Sequence, residues 1–296
     1  MHEFKEELLV KLSIPIYTIV IAIEILYSYW KQKKYYSTKG LLSNLYLTAL
    51  NFSLDIVVRG ICLGVLWYFY QFKFTEINKV IHPAIYWSAL LFAEDFAFYW
   101  MHRIDHYCRF FWAVHVTHHS SEEFNLTVGL RSSVFQPLYR FIYFIPLSFV
   151  GFDPLDVMFM YAATQIHGIL IHTKAVGKLG FLELFLTTPS HHRVHHASNI
   201  RYLDKNMGMV FIIWDRLFGT FEEEIEGEEV IYGLTENLKS HNPMTMIFHE
   251  WLSILEDLKK QTSIKNKLMY VFGPPGWSHD GSKKTSKQLR NQLKSR

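Results

Sequence analysis

The run from Leu41 to Phe72 is apolar almost throughout, and its only charged residues are Asp55 and Arg59. Crossing a hydrocarbon core takes ~20 helical residues, so this run is long enough to span a bilayer with tilt. Asp55 and Arg59 stand at i,i+4 spacing, which lets them neutralise one another on one helix face as a structural ion pair. Four further stretches read as membrane helices: Leu12–Trp30, interrupted by Glu24; Pro83–Met101; Val134–Val150; and Pro154–Ile171. The last two are joined by the short turn Gly-Phe-Asp-Pro and are expected to form a helical hairpin. Composition agrees, since half of the 296 residues are hydrophobic and the mean hydropathy is +0.06, less polar than a soluble domain usually is. Two cysteines exclude a disulfide framework and a Cys-rich metal site.

Orientation follows from the loop charges. The segment KQKKYYSTK after the first span places that loop in the cytoplasm. Counting spans from there puts every histidine-rich segment on the same side. The acidic opening MHEFKEE marks the first span as a retained helix rather than a cleaved leader. The expected fold is therefore an all-α, polytopic membrane helical bundle of about four to five membrane helices. Three regions follow: membrane helices at 1–82, a histidine-bearing region at 83–222, and a cytoplasmic segment at 223–296 that starts in the acidic EEEIEGEE and ends in a solvated basic tail. The apolar but short GMVFIIWDRLFGTF is expected to pack beneath the bundle. Nothing in the chain suggests nucleic-acid binding.

Two copies of one histidine arrangement carry the chemistry. His115-x-x-His118-His119 and His192-x-x-His195-His196 share their spacing, and His102 and His106 stand at i,i+4. Such spacings bring imidazoles together on one side of a helix. His191 adds another i,i+4 pair with His195. Burying so many imidazoles without partners is costly, so metal binding is the expectation, and eight nitrogens exceed what one metal accepts. Two metals follow, held in a His-rich cap at the cytoplasmic helix ends. Structural zinc sites are closed, four-coordinate and often Cys-rich, which fits poorly. An all-nitrogen pair of sites with room for further ligands suits a redox metal such as iron. The scarcity of carboxylates separates the pattern from the Glu-rich di-iron bundles. Asp95 and Glu122 are the leading candidates to act beside the metals, with Asn125, Asp204 and Asn206 as further outer partners. Glu122 stands three residues after His119 and would lie close on a continuing helix.

Taken together, the three motifs at 102–106, 115–119 and 192–196 resemble those of the fatty acid hydroxylase/sterol desaturase superfamily, over roughly residues 85–222. The flanking strings HHSSEEFNLTVGLRSS, TPSHHRVHH and LDKNMGMVFIIWDRLFGTF look more particularly like the alkylglycerol monooxygenase branch and its bacterial relatives. The resemblance implies an integral-membrane enzyme holding two non-haem irons on the eight motif histidines. It adds His172 as a ligand and His167 as a weaker candidate. It implies O2 and a lipid C–H bond as reactants, with hydroxylation, desaturation or ether-lipid cleavage as outcome. No dinucleotide fingerprint or haem motif is present, so electrons come from outside, from a reduced pterin or a separate electron-transfer protein. The lipid is a sterol, fatty acyl or ether lipid, and the expected location is a bacterial plasma membrane. Competing readings are a metal transporter and a zinc hydrolase. Ligands at helix ends rather than mid-membrane disfavour the first, and the lack of a His-Glu-x-x-His pattern disfavours the second.

Overall fold

The computed structural model describes residues 2–295, and these form helices and loops without a strand. In chain order the helices are α1 (His2–Trp30), α2 (Thr38–Tyr70), the short α3 (Ile77–Val80), α4 (Pro83–Tyr107), α5 (Arg109–His119), α6 (Leu126–Leu130), α7 (Ile145–Val150), α8 (Pro154–Leu170), α9 (Pro189–His195), α10 (Ile213–Phe218), α11 (Pro243–Lys259), α12 (Ile264–Phe272) and α13 (Ser286–Lys294). Local sequence sets several of the boundaries. Ser37 caps α2 by accepting from the Gly40 N–H, and Asp153 caps α8 by accepting from the Leu155 N–H. Pro83 and Pro154 each open a helix, where a missing N–H costs nothing.

Two helical stretches, Lys11–Trp30 and Thr38–Tyr70, are long and apolar enough to cross a membrane. They turn large apolar side chains outward, among them Ile19, Ile23 and Leu26 on α1 and Phe52, Ile56 and Val57 on α2. Among them, α4, α7 and α8 close a core of Leu66, Leu90, Phe98, Met101, Phe144 and Val157. Within this bundle Asp55 meets Arg59 at 3.0 Å, the expected pair, and also takes Arg140 as a second partner.

One expected helix forms only in part, over Arg140–Val150. Val134–Val150 folds as two 3-10 turns, Gln136–Leu138 and Arg140–Phe144, running into the single short helix α7. Pro137 and Pro146 explain the break, because each lacks an N–H and its ring disrupts the preceding turn. The hairpin turn itself is present. Gly151 has φ 110°, and a Cβ there would lie 2.0 Å from the Thr75 carbonyl oxygen, so only glycine fits.

The end of α1, the start of α2 and the ends of α4 and α8 lie at one end of the bundle. Glu24 of α1 accepts from the Leu126 N–H at 2.9 Å and from the hydroxyls of Tyr36 and Thr173. Asn44 of α2 donates to Thr127 at 3.0 Å. This buried polar set explains the charge inside the first apolar run: Glu24 fastens α1 to the loops that carry the histidines.

The C-terminal segment closes back over α5 through Arg109. Its buried guanidinium donates to Glu250 and Asp257, both at 2.6 Å, and to Ser253 at 2.8 Å. Burial pushes the Asp257 carboxyl up, but hydrogen bonds from Lys260, Arg109 and Lys283 outweigh it and hold the carboxyl at about 2. Removing one partner of a buried pair strands the other. Arg109→Ala is therefore expected to cost about 3–5 kcal/mol, read as a lower Tm of the purified protein in detergent. Because the folded-state pKa of Asp257 is depressed, the stability it supplies is full above its ordinary range near ~4 and is lost as pH falls towards about 2. Asp257→Asn should remove that part of the acid sensitivity in the same melts.

Candidate metal centre

Nine histidines converge at the bundle end in two neighbouring groups. One holds His102, His106, His115, His119 and His195, and the other holds His118, His172, His192 and His196. Within each group the ligand atoms lie within 4.8 Å of one another. The repeated motif is shared between them in a crossed way. His115 and His119, at i,i+4 on α5, enter the first group, while His118 between them enters the second. On and just after α9, His192 and His196 enter the second, while His195 enters the first. Adjacent residues on a helix point about 100° apart, so each paired His-His delivers one imidazole to each group. The rings of His119 and His196 stack at 4.4 Å where the groups meet.

The outward ring nitrogens fix the tautomers. Nδ1 of His102 faces the Met207 carbonyl at 2.8 Å, that of His118 the Arg131 carbonyl at 2.8 Å, that of His172 the Gly168 carbonyl at 2.6 Å, and that of His195 the Lys205 carbonyl at 2.9 Å. A carbonyl only accepts, and a neutral imidazole has one N–H, so these four rings carry their proton outside and aim an Nε2 lone pair inward. Yet the inward nitrogens nearly touch. His172 Nε2 lies 2.8 Å from that of His192, 3.1 Å from that of His196 and 3.3 Å from that of His118. In the other group His102 Nε2 lies 3.1 Å from that of His115. Between His172 and His118 neither nitrogen has a proton to give. Lone pairs held this close repel one another unless a cation sits among them. Nε2 of His106 and of His195 and Nδ1 of His192 are buried without a hydrogen-bond partner.

Protonation is no alternative way to relieve the repulsion. Burial, followed by the neighbouring imidazoles, holds His115, His119, His192 and His196 well below the ordinary histidine range, and burial lowers His118 to about 4. The donor set is neutral, nitrogen-only and pre-oriented, which fits a pair of divalent transition metals.

The residues around the groups show how they are held. His106 Nδ1 stands 3.3 Å from the Asp204 carboxylate, at a residue whose φ of 52° is unusual for anything but glycine, asparagine or aspartate. Asp105, missed in the sequence, lies fully buried one turn after His102. It accepts from Tyr139 at 2.8 Å and from Gln136 at 3.0 Å, with Oδ2 3.8 Å from His115 Nδ1. Its place between two spaced histidines in HRIDH was the available signal. A Cβ at Gly129 would lie 3.0 Å from His172 Nδ1, so a glycine lets α6 close on that ring.

Several candidate residues take other positions. Glu122 is exposed, because α5 ends at His119 and the chain then turns away. Asp95 does not meet an imidazole. It accepts from the Val210 and Phe211 N–H groups and from Trp214 Nε1 at 2.8–3.1 Å. Asp215 in the same apolar segment accepts from the Met207 and Gly208 N–H groups, both at 2.7 Å. Together the two aspartates fix the turn whose Met207 carbonyl orients His102. Asn125 caps α6, and Asn206 bonds the main chain of His191 and Glu222. His167 Nε2 faces the Thr187 carbonyl at 2.9 Å, and His191 Nδ1 faces the Leu186 carbonyl at 3.2 Å and closes the cap of α9. Both lie outside the two groups.

A cavity of about 730 Å³ opens beside the first group. His106, His119, His195 and His196 form its floor, with Trp112 and Asp204 beside them and His249, Glu250 and Ser253 of α11 opposite. The Trp112 ring lies 5.1 Å from His106 and 5.5 Å from His119.

Residues 87–220, which hold all nine converging histidines, match the family model for fatty acid hydroxylase. The chain belongs to the fatty acid hydroxylase/sterol desaturase superfamily. It is 42% identical to human alkylglycerol monooxygenase over 64% of its own length and 42% of the relative's. It is 35% identical to alkylglycerol monooxygenase of Xenopus tropicalis, over 88% of this chain and 57% of that one. A bacterial member, ornithine lipid hydroxylase OlsE of Rhizobium tropici, is 31% identical over 49% of this chain and 44% of its own. The chain spans about half the length of the curated relatives it matches. No solved structure is significantly similar to it.

The geometry separates nine converging histidines from His167 and His191, which lie in neither group. His192→Ala is expected to lower bound metal in the purified protein, measured by plasma mass spectrometry. His167→Ala and His191→Ala are expected to leave the metal content unchanged and only lower the Tm.

Proposed function

We propose that the chain is a membrane-bound di-iron oxygenase that inserts oxygen into, or desaturates, a C–H bond of a lipid. The observation that carries this reading is the convergence of nine imidazoles in two adjoining groups, four of them with an Nε2 lone pair aimed inward, inside the region that matches the family model. In this reading His102, His106, His115, His119 and His195 hold one iron, and His118, His172, His192 and His196 hold the other. Bound together, the two irons supply dioxygen activation and the oxidising power for an unactivated C–H bond.

The chain's own residues do the rest. The carbonyls of Met207, Arg131, Gly168 and Lys205 keep protons off the inward nitrogens, so binding needs no proton release at those rings. A donor set of neutral imidazoles leaves the metals' charge largely uncompensated, which favours a strongly electrophilic oxidant. Phe124, fully buried, packs its ring 5.6 Å from His172 and 5.2 Å from His196, keeping water from that side. The outward apolar faces of α1 and α2 set the protein in a bilayer, with α4 and α8 as further crossings. In this arrangement regions 1–82, 83–222 and 223–296 serve as anchor, metal centre and cover.

The substrate is best taken from the alkylglycerol monooxygenases, which are more similar to the chain than the ornithine lipid hydroxylase is: an ether lipid, hydroxylated beside its oxygen so that the product falls apart. Electrons come from a reduced pterin or a separate electron-transfer protein, since the chain has no redox motif of its own. The lysines of the loop after α1 support placing the histidine end in the cytoplasm, with a bacterial plasma membrane as the proposed setting.

Metal analysis of protein purified anaerobically in mild detergent tests the reading. Two irons per chain are expected, with loss of iron in the His118→Ala, His195→Ala double variant and lipid-dependent O2 uptake only in the parent. Stoichiometric zinc from iron-replete cells, with no O2 uptake, would instead favour the hydrolase reading.

A further inference from the structure

The two helices of the C-terminal segment turn apolar stripes away from the protein. On α11 these are Phe248, Leu252 and Leu255, and on α12 Ile264, Leu268 and Phe272, all 40–78% exposed. Their spacing of three or four residues makes each set a single line along its helix. The opposite faces are committed: Met246 and Ile247 pack against Leu47 of α2, and Arg109 binds Glu250, Ser253 and Asp257. Phe110 connects the two stripes, its ring 5.2 Å from Trp251 and 6.1 Å from Phe272. Outward apolar lines of this kind, regularly spaced and side by side, mark a surface that something apolar covers.

We propose that α11 and α12 lie in the interface of the bilayer, with these six side chains in the acyl boundary. The inference rests on the membrane reading of α1 and α2. Three observations choose lipid as the occupant. First, α11 packs directly on the membrane helix α2, and Phe248 of the stripe meets Phe135, 5.9 Å away, in the loop beside that contact.

Second, the depth is right. With its 33 residues α2 is about 50 Å long at 1.5 Å per residue, against a hydrocarbon core of about 30 Å. Trp67, Tyr68 and Tyr70 suit the far interface, so about 20 Å of α2 extends beyond the core at the histidine end. Leu47 lies about 14 Å from the start of α2, which sets α11 near the headgroup–acyl boundary.

Third, Lys259, Lys265 and Lys267 flank the turn between the two helices, as expected of interfacial helices that meet anionic headgroups. The middle of the segment expected to be cytoplasmic is then a membrane-surface element. Because His249, Glu250 and Ser253 of α11 line the cavity at the histidines, this helix stands between the bilayer surface and the candidate metal centre.

Depth-dependent quenching tests it on the full chain, with Cys62→Ala and Cys108→Ala as background. Single cysteines replace Leu252, Leu268, Ile56 on α2 or Lys287 on α13, each bearing a small fluorophore. The labelled protein is placed in vesicles of brominated phosphatidylcholine and phosphatidylglycerol, with iodide on both sides in a parallel set. Labels at 252 and 268 should be quenched by the brominated lipid and shielded from iodide, as at 56, with the reverse at 287. Iodide quenching at 252 and 268 with lipid quenching kept at 56 would overturn the inference while leaving the membrane reading intact. Iodide quenching at 56 as well would overturn both. Shielding of 252 and 268 from both quenchers would overturn the inference in favour of a second copy of the chain over these helices.

Discussion

The repulsion among inward imidazole lone pairs governs the structure's functional end. Four main-chain carbonyls hold protons on the outer nitrogens of His102, His118, His172 and His195, and burial keeps the rings neutral, so the inner nitrogens of these four have only lone pairs to offer. Unrelieved, such an arrangement would push the helices apart. A cation in each group would relieve it, and each group is compatible with a metal site. The helix ends, the turn fixed by Asp95 and Asp215 and the closing contact of Gly129 with His172 all converge on orienting those nitrogens.

The crossed sharing of the two His-x-x-His-His motifs has a mechanical consequence. Because neighbouring residues on α5, and again at the end of α9, serve different groups, neither group can shift without the other. The two groups are therefore set at a fixed separation by helix geometry, and both consist of histidines, unlike the Glu-rich bundles.

Much of this was legible in the sequence, and what was not has physical reasons. The three histidine motifs, the two longest apolar helices and the Asp55–Arg59 pair are read from spacing, and spacing within a helix survives folding. The division of each motif between two groups is not readable, since it depends on where α5 and α9 sit. Glu122 was expected on a continuing helix, but α5 stops at His119. The helix expected at 134–150 is broken at its prolines, where apolar character alone concealed the interruption. The outer partners of the histidines are mostly main-chain carbonyls, which carry no residue signature at all. Asp105 was visible in HRIDH, but only its burial beside His115 distinguishes it from an ordinary helical aspartate.

The most direct measurement is anomalous diffraction from crystals of the anaerobically purified protein, collected above and below the iron absorption edge. The account requires two iron peaks per chain, one amid His102, His106, His115, His119 and His195 and the other amid His118, His172, His192 and His196. A single peak, a peak outside these residues, or anomalous signal at the zinc edge alone would contradict it.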